Sequence, residues 1–490
     1  MISNRLKMNK LRLLVLSVSV LLGVTLNAQQ LKLAHVFSDH MVLQRETSAP
    51  VWGWGEAGKT VYVSTSWNFQ TMKTTVGEDG TWRVNVATGK AGGPYTLSVN
   101  CGKERVTVQD VMLGEVWICS GQSNMDMPVN GYGFQKVEGS TETILEAIET
   151  SKRIRVFNIK TWKRTQPEED VANVWELSSP RVAANVSAIA YFFAKRLTKA
   201  LDVPVGIIVN AWGGSRIESW MTRTSIENSG ITKDELAEIY AVQEKPDSWP
   251  ETPELIWNGR MYPIAGYAAK GFLWYQGCSN IGQKFYDKLQ TSMLNLWRSS
   301  WGRGDMPFIY ATLAPFDHGD SNGRWRPAFV RTQLHAQEMA PNTWAVCLET
   351  LGDQRTIHPA KKKEVADLMF MRAYASVYGE DPGITVDYPE PKTIEYLEDG
   401  SVKIQFTNVW SNLMSITDRD IVGFELAGED RSFVIAKAEV DWDGETVIVK
   451  ADEVPHPVAV RYSFRNWMGA NLQTSLGISV PPFRTDDWDY

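Results

Sequence analysis

The segment from Gly114 to Met125 joins an apolar run to small and polar residues, an arrangement that can place a serine nucleophile at a strand end. Val116–Cys119 is apolar and partly β-branched, which predicts a short buried strand. Ser120–Asn124, which reads Ser-Gly-Gln-Ser-Asn, interrupts this pattern. A serine after a strand and beside a glycine can present its hydroxyl and its backbone N–H to one cleft, as a nucleophile with part of its oxyanion hole does. The segment differs from the usual Gly-x-Ser-x-Gly elbow, and a strand-to-helix turn with a serine N-cap is the alternative interpretation.

A serine nucleophile needs a general base, and histidine is the usual one. The chain has six histidines: His35, His40, His318, His335, His358 and His456. Of these, only His358 lies on a turn between a predicted strand and a predicted helix of the central region. Pro359 lacks an N–H and restricts His358 to extended backbone, which helps to hold the imidazole in one place. A solvated or otherwise satisfied loop histidine is the alternative interpretation.

An oxyanion hole needs hydrogen-bond donors, and two further polar segments offer them. Gly213-Gly214 has no side chains in the way, so its backbone N–H groups can approach a substrate closely. Asn280 offers a side-chain amide. A plain turn for the two glycines and a capping role for the asparagine are the alternatives.

These residues lie in a region of alternating strands and helices between about residues 113 and 380. The pattern predicts strands at Val116–Cys119, Arg153–Ile159, Val205–Ala211, Phe272–Tyr275, Phe308–Leu313 and Trp344–Leu348. It predicts helices at Ala184–Leu201, Phe285–Trp297, Trp325–Met339 and Lys361–Tyr378. Apolar strands separated by amphipathic helices indicate an α/β fold with a parallel sheet covered on both faces, in which ligands bind at the carboxyl ends of the strands. Polar or glycine-rich clusters follow predicted strands at residues 120–124, 212–215, 276–280 and 352–358.

Both flanks of this region are predicted to be β-structure. Residues 30–112 contain short alternating strands separated by glycine-rich turns, which is typical of a small sandwich. Residues 395–490 contain five further strand-like runs, with turns at Asp399-Gly400 and Asp443-Gly444. We therefore predict a β-sandwich-like domain at 29–112, an α/β hydrolase domain at 113–390 and a C-terminal β region at 391–490.

The first 28 residues have the pattern of a signal peptide. Arg5, Lys7, Lys10 and Arg12 precede an apolar stretch at Leu13–Leu26, and Asn27-Ala28 fits a cleavage site. We predict export to the periplasm or the extracellular space. No later segment is apolar enough for a bilayer span, so the mature chain is predicted to lack one. Loss of these four basic residues, with no acidic ones, changes the formal net charge from −7 to −11, which argues against nucleic acid or an anionic membrane as a partner.

Composition supports a soluble protein of several domains. The 490 residues are 43% hydrophobic and 22% charged, and 20 of them are tryptophan. Exposed aromatic rings stack on sugars, although most tryptophans of a large protein belong to its core. The four cysteines, Cys101, Cys119, Cys278 and Cys347, contain no Cys-x-x-Cys pair, so zinc binding is not expected.

Four blocks occur in a fixed order along the chain: Gly121-Gln-Ser-Asn-Met125, Trp212-Gly-Gly-Ser215, Trp274-Tyr-Gln-Gly-Cys-Ser-Asn280 and Ile357-His-Pro359. Together they resemble the sialate O-acetylesterase family of the SGNH hydrolases, which are named for Ser, Gly, Asn and His in separated blocks. The resemblance extends to the N-terminal β region at Phe37–Arg45, Val51–Trp54 and Ala91–Tyr95, and to the tail at Asn471-Leu472 and Pro482–Asp486.

This resemblance implies a role for each matching residue. Ser123 would be the nucleophile and His358 the base. The Ser123 N–H, a glycine of Gly213-Gly214 and the Asn280 amide would form the oxyanion hole. His358 would take the Ser123 proton during attack on an acetyl carbonyl, and would then activate the water that releases acetate. No metal or cofactor is implied.

The sequence departs from the family pattern at two positions. SGNH enzymes usually place an aspartate three residues before the histidine, where this chain has Arg355, which cannot accept a hydrogen bond. Asp353 can orient His358 if the turn folds back; a backbone carbonyl in that role would leave a Ser–His dyad. Cys278 stands where relatives with Gly-Glu-Ser-Asn have glutamate, a change that affects substrate or rate, unless a small buried cysteine merely fills space.

Three residues near the blocks are candidates for substrate binding. Arg216 can pair with a sialic acid carboxylate, although a salt bridge with Glu218 or a solvated position is the alternative. Gln122 and Gln276 can hydrogen-bond the acyl or sugar part. The predicted partner is an O-acetylated carbohydrate, a sialic acid by preference. Acetylated xylan or another polysaccharide is the alternative substrate, and a secreted carbohydrate-binding protein with a decayed site is the alternative of another class. The oligomeric state is left open.

Overall fold

The computed structural model describes residues 30–150, 152–243, 249–417 and 420–488. The predicted signal peptide, residues 1–28, lies outside the described residues, and export stays a prediction. Within the described ranges, no helix combines the length and the apolar character needed to cross a bilayer.

The N-terminal region is built from strands that alternate buried and exposed side chains. Its strands are β1 (Lys32–Leu33), β2 (Val42–Gln44), β3 (Ser48–Trp54), β4 (Thr60–Thr65), β5 (Thr71–Thr75), β6 (Thr81–Ala87), β7 (Gly92–Cys101) and β8 (Glu104–Gly121). One sheet has the order β1-β3-β6, and β4 pairs with β5 and β7 in another. In β4, Val61 and Val63 are buried and Tyr62 is exposed, the alternation of a strand with one face in a core. Contacts of β6 with β4 and β5 close the sandwich.

β8 is 18 residues long and belongs to both parts of the molecule. Its first half pairs antiparallel with β7, and its second half pairs parallel with two strands of the central sheet. The predicted boundary between residues 112 and 113 therefore falls inside a strand. Buried apolar residues of the N-terminal and central regions form one continuous hydrophobic cluster, so no flexible linker separates them.

The central region continues with strands and helices in alternation. Its strands are β9 (Ile154–Asn158), β10 (Trp175–Leu177), β11 (Val205–Ala211), β12 (Gly271–Tyr275), β13 (Phe308–Ala311) and β14 (Thr343–Val346). Its helices are α1 (Ser123–Asp126), α2 (Ser140–Glu146), α3 (Pro180–Ala184), α4 (Ala188–Leu201), α5 (Arg223–Glu227), α6 (Lys233–Tyr240), α7 (Tyr286–Trp301), α8 (Trp325–Ala336) and α9 (Lys362–Ser376). Short 3₁₀ turns cover Ile217–Trp220, Tyr262–Ile264, Cys278–Asn280 and Gln337–Met339, and a π-helical turn covers Trp257–Met261.

The central sheet has the order β10-β9-β11-β8-β12-β13-β14, parallel except for the edge strand β10. Helices cover both faces. Trp117 of β8 packs on Phe193 of α4, with ring centroids 5.1 Å apart. Phe272 of β12 faces the other way and packs on Trp297 of α7 at 5.3 Å. The predicted parallel sheet with helices on both faces is confirmed, and it brings the carboxyl ends of β8, β11 and β12 together.

The C-terminal region is all β and has a hydrophobic cluster of its own. Its strands are β15 (Glu390–Tyr396), β16 (Val402–Thr407), β17 (Leu413–Ser415), β18 (Phe424–Ala427), β19 (Val434–Ile435), β20 (Lys437–Val440), β21 (Thr446–Lys450), β22 (Ala459–Tyr462), β23 (Leu472–Thr474) and β24 (Phe483–Arg484). They form sheets of order β15-β16-β21-β20, β17-β23 and β19-β18-β22-β24. This region is tied to the central one by the buried pair Arg326–Glu349, whose guanidinium also donates to the Ser463 carbonyl at 3.3 Å.

Candidate active site

Ser123 is the first residue of α1 and follows the end of β8 closely. Gly121 has φ +143°, and a Cβ at this position would lie 2.2 Å from the Tyr275 carbonyl oxygen, so only glycine fits between β8 and β12. The Gln122 N–H donates to the same carbonyl at 2.9 Å. The chain then turns into α1 and leaves Ser123 only half-buried, at the edge where the parallel strands end.

His358 faces this serine from a loop that leads into α9. Its Nε2 lies 2.8 Å from Ser123 Oγ, although the two residues are 235 positions apart in the chain. Asn124 donates from Nδ2 to the Ile357 carbonyl at 3.0 Å and so ties α1 to the histidine loop. Tyr132 packs edge-on against the imidazole at a centroid distance of 5.4 Å. This contact is close enough for the histidine to accept a proton from the serine hydroxyl.

The second ring nitrogen of His358 contacts a neutral amide. Its Nδ1 lies 2.9 Å from Gln135 Oε1, and Gln135 Nε2 donates to Thr356 Oγ1 at 2.9 Å. The second bond orients the amide so that its oxygen points to the histidine. With a proton on Nδ1 donated to Gln135, Nε2 carries the lone pair that can accept the Ser123 proton.

Asp353 does not occupy this position, and the expectation that it orients His358 is corrected here. Its Oδ1 accepts backbone hydrogen bonds from Arg355 at 2.7 Å and Thr356 at 3.3 Å. These bonds shape the turn that carries Thr356, and Thr356 Oγ1 in turn accepts the His358 N–H at 3.1 Å. The Asp353 carboxylate is therefore used within its own turn. The residue that contacts His358 Nδ1, Gln135, comes from another loop.

Burial keeps the imidazole uncharged. It lowers the pKa of His358 to about 4, and the nearby charge of Lys362 adds to the effect. Lys362 is itself buried and donates to Asn124 Oδ1 at 2.6 Å. Its own pKa is lowered to about 7, mainly by burial. A neutral imidazole is the form that can act as a base.

Two backbone N–H groups beside Ser123 are free to stabilise an oxyanion. In the described part of the chain, neither the Ser123 N–H nor the Gly213 N–H has an acceptor. A Cβ built on Gly213 would lie 3.4 Å from the Cβ of Ser123, so this backbone runs directly past the nucleophile. Gly214 adopts φ +69° and lies under the ring of Trp249, where a Cβ would come within 2.2 Å of ring carbon Cδ2.

Asn280 is engaged elsewhere, which corrects its expected place among the oxyanion donors. Its Nδ2 donates to Glu218 at 2.9 Å and to Gln283 at 2.6 Å, so both amide hydrogens are used. Its Oδ1 accepts from the Ile217 N–H at 3.0 Å and from Gln276 at 2.7 Å. Glu218 is fully buried, and its carboxylate is the strongest hydrogen-bond acceptor near Asn280. The Asn280 amide therefore donates to Glu218.

The three residues expected to bind substrate differ in whether their polar side-chain atoms already have hydrogen-bond partners within the protein. Arg216 donates to Glu218 Oε1 at 3.1 Å, which is the salt bridge anticipated as the alternative to a substrate contact. Gln276 uses both ends of its amide inside the protein, donating to the Ser215 carbonyl at 2.9 Å and accepting from Tyr286 at 2.6 Å. Gln122 Oε1 accepts the N–H groups of Gly277 and Cys278. Its Nε2 has no acceptor among the described residues, so Gln122 stays a candidate for a substrate contact.

All four cysteines are free thiols. Burial raises the pKa of the Cys278 thiol to about 12, so it is protonated at neutral pH. Among the described residues, no group of three or more histidines, cysteines or carboxylates is arranged to hold a metal ion.

Sequence reasoning missed Gln135, Asn124 and Lys362. Gln135 lies in a tight turn closed by reciprocal backbone bonds with Tyr132, at 3.0 and 2.8 Å. The signal in the sequence was the pair Gly131 and Gly133: a Cβ on Gly131 would lie 2.0 Å from the Gln135 carbonyl oxygen, so this turn requires glycine. Nothing in the sequence connects the turn to His358.

The chain is similar to known carbohydrate esterases. Residues 113–366 match the model of a family described as carbohydrate esterase, sialic acid-specific acetylesterase. The sialate O-acetylesterase of Rattus norvegicus is 28% identical over 522 residues, covering 92% of this chain and 94% of the rat protein. That of Homo sapiens is 29% identical over 402 residues, covering 75% of this chain and 74% of the human protein. The crystal structure of a carbohydrate acetylesterase from Xanthomonas citri superposes with a TM-score of 0.81 at 30% identity, covering 94% of this chain and 100% of that one.

The protein is a carboxylic ester hydrolase that acts on carbohydrates. More closely, the chain belongs to the carbohydrate esterases of the sialic acid-specific acetylesterase family, as the four sequence blocks indicated.

Proposed function

We propose that the protein removes O-acetyl groups from acetylated sialic acids through an acetyl-enzyme formed on Ser123. The observation on which this proposal depends is the 2.8 Å approach of His358 Nε2 to Ser123 Oγ, on a half-buried serine beside two unengaged N–H groups. This arrangement has the parts that acyl transfer needs: a nucleophile, a base and oxyanion donors.

The first half-reaction transfers the acetyl group to the enzyme. His358 Nε2 accepts the Ser123 proton as Oγ bonds to the acetyl carbonyl carbon, and the carbonyl oxygen becomes an oxyanion facing the N–H groups of Ser123 and Gly213. The imidazolium is stabilised through Nδ1–H by the Gln135 oxygen. Collapse of the intermediate breaks the ester C–O bond, and the proton on Nε2 passes to the departing sugar oxygen.

The second half-reaction restores the enzyme. His358 Nε2 takes a proton from water, whose oxygen attacks the acetyl carbonyl carbon of acetyl-Ser123. The same two N–H groups stabilise the second oxyanion. The Ser123 Oγ–carbon bond then breaks, the proton returns to Oγ, and the product leaves as acetic acid, which ionises to acetate in water. Every proton transfer in both halves uses the one imidazole, so the low pKa of His358 keeps the base ready at mildly acidic pH.

The choice of substrate is supported by the relatives. The rat and human proteins are sialate O-acetylesterases, and the Xanthomonas citri protein is a carbohydrate acetylesterase. Acetylated xylan stays the competing substrate, because the acyl chemistry of the two is the same and only contacts to the sugar distinguish them.

Two measurements test the proposal. Ser123→Ala should abolish acetate release from 4-nitrophenyl acetate while the circular dichroism spectrum stays unchanged; full activity would exclude Ser123 as the nucleophile. Acetate release is then compared between O-acetylated sialic acid and acetylated xylan. We expect faster release from the sialic acid, and a clear preference for xylan would overturn the choice of substrate.

We also propose that the protein is exported, on the basis of the basic and apolar pattern of residues 1–28. Mass spectrometry of the protein from its native cells should find a mature N-terminus near Gln29. An intact Met1 would contradict export by cleavage.

A further inference from the structure

Arg260 is a buried arginine beside the site that lacks an acidic partner. It lies in the π-helical turn Trp257–Met261 and is 5% exposed. Its Nε donates to the Thr161 carbonyl at 2.7 Å and its Nη1 to the Ala211 carbonyl at 2.9 Å. Across the described ranges, no carboxylate forms an ion pair with it. A buried guanidinium without a carboxylate in direct contact is costly, and burial lowers the pKa of Arg260 to about 10, although the more distant charge of Asp126 opposes this shift.

Two other cations near the nucleophile have acidic partners. Arg216 pairs with Glu218 at 3.1 Å, and Lys160 lies 3.6 Å from Asp126. In contrast, Arg260 Nη2 has no acceptor among the described residues and is not sealed from solvent. This nitrogen is therefore available to an anionic group of a ligand.

Arg260 is linked to the nucleophile by a short chain of contacts. Its Cζ lies 4.1 Å from the ring centroid of Trp212, the residue that follows β11. The Trp212 N–H donates to the Gly121 carbonyl at 2.9 Å, and the next residue, Gly213, passes directly by Ser123. The guanidinium thus contacts the residue that directly precedes Gly213, the proposed oxyanion donor.

Aromatic side chains lie around Trp212 and the glycines that follow it. The Trp162 ring meets the Trp212 ring at 4.9 Å and is 54% exposed. Trp249 covers Gly214 and is 65% exposed. We call Trp162, Trp212 and Trp249 the tryptophan surface. Exposed indole rings offer an apolar face with a polar N–H, which suits the mixed character of a sugar ring.

We propose that Arg260 binds the carboxylate of an acidic acetylated sugar lying on the tryptophan surface, and so selects acidic over neutral sugars. This rests on the proposed function, since it names the group that recognises the sialic acid at that same site. The role expected of Arg216 passes to Arg260, because Glu218 already neutralises Arg216.

The first test changes the substrate and leaves the protein intact. The wild-type enzyme is given O-acetylated sialic acid and its methyl ester, which lacks the negative charge. We expect kcat/KM to be about 10- to 100-fold lower for the ester, mainly through KM, because one charge-assisted hydrogen-bond pair is lost. Equal values for acid and ester would overturn the inference.

The second test assigns the preference to Arg260. Arg260→Lys keeps the charge but loses the planar fork, and we expect the acid-to-ester ratio to fall to within about threefold of unity. The ratio compares two substrates in one variant, so a general loss of activity cancels. Arg164→Lys is the matched control, since Arg164 is nearby but paired with Glu168, and it should keep the wild-type ratio. A wild-type ratio in Arg260→Lys would refute the role of Arg260.

A crystal structure of the wild-type enzyme with sialic acid gives a result that does not depend on a folded variant. We expect the carboxylate within hydrogen-bond distance of Arg260 Nη2, and a carboxylate bound elsewhere would refute the inference. Failure of the proposed function looks different: neither form of sialic acid would be hydrolysed, while acetylated xylan would be. In that case the inference falls together with the choice of substrate.

Discussion

Gln135→Glu tests whether the neutral partner of His358 sets the pH range of the enzyme. The substitution replaces an amide that lies 2.9 Å from Nδ1 by a carboxylate of the same shape. Thr356 can rotate its hydroxyl to donate to the new oxygen, so the local structure is preserved. The variant therefore changes the charge next to the imidazole with little change in packing.

The size of the effect follows from electrostatics. A carboxylate about 4 Å from the imidazolium, at an effective dielectric constant of about 20, stabilises the charged ring by about 4 kcal/mol. Gln135 is partly exposed, and solvent screening reduces this to about 2 kcal/mol. At about 1.4 kcal/mol per pKa unit, the pKa of His358 should rise by about 1.5 units.

The assay is the pH dependence of kcat/KM for 4-nitrophenyl acetate. In the proposed mechanism only the neutral imidazole accepts the Ser123 proton, so we expect kcat/KM to rise with pH through the pKa of His358, which is about 4 in the native enzyme. In Gln135→Glu, the same rise should be centred near pH 5.5, about 1.5 units higher.

The control is Gln354→Glu, which adds the same charge on an exposed side chain of the histidine loop. Screening by water should limit its effect to a few tenths of a unit. An unshifted acid limb in Gln135→Glu, or equal shifts in both variants, would refute the assignment of Gln135 as the partner of His358.

Three further substitutions test the remaining parts of the site. Asp353→Asn keeps the side-chain oxygen that accepts the N–H groups of Arg355 and Thr356, so kcat/KM for 4-nitrophenyl acetate should fall less than about threefold. A loss of about 10⁴-fold, as in a triad that lacks its aspartate, would instead show that Asp353 orients His358. Asn280→Ala removes a hydrogen-bond donor from Glu218 and from Gln283, so thermal unfolding should show that the free energy of unfolding falls by about 2–4 kcal/mol. If Asn280 were an oxyanion donor, kcat would instead fall by about 100-fold or more while stability is retained. Gly214→Ala forces a side chain into a left-handed conformation and against Trp249, so stability should fall by about 1–3 kcal/mol and KM for sugar substrates should rise; an unchanged KM would show that Trp249 does not contact the sugar.

Much of the fold was predictable because local patterns determine it. The strand predicted at Val205–Ala211 has the observed bounds, since six of its seven residues are small or apolar, Pro204 precedes it and a Gly-Gly turn follows Trp212. The long strand β8 was not predictable in the same way. Its polar first half and apolar second half resemble two separate elements, and only pairing with β7 on one side and β11 on the other makes them one strand.

In the site, too, local sequence patterns predicted some features, whereas others depend on contacts between distant segments. Ser123 and His358 became candidates because each follows a predicted strand of a parallel sheet, and such ends converge at one edge; the resemblance to a known family then suggested a role for each. The partners of their polar atoms were not found, because these depend on loops that meet only in the folded chain. Gln135 reaches His358 across 223 positions, and Asn280 meets Glu218 across 62. A side-chain amide donates to whichever acceptor the fold brings nearest, and a buried carboxylate outcompetes a substrate that is only transiently bound.

The choice of a neutral partner for His358 has a physical consequence. In the usual triad, a buried carboxylate stabilises the imidazolium and raises the pKa of the base. Here Gln135 supplies orientation without charge, while burial and the positive charge of Lys362 both favour the neutral ring. The base is thereby kept unprotonated down to a pH near 4, at the cost of less electrostatic help once it holds the proton. An esterase built in this way should sustain its kcat/KM in acidic surroundings where an aspartate-assisted histidine is already protonated, and should be slower than such an enzyme at neutral pH.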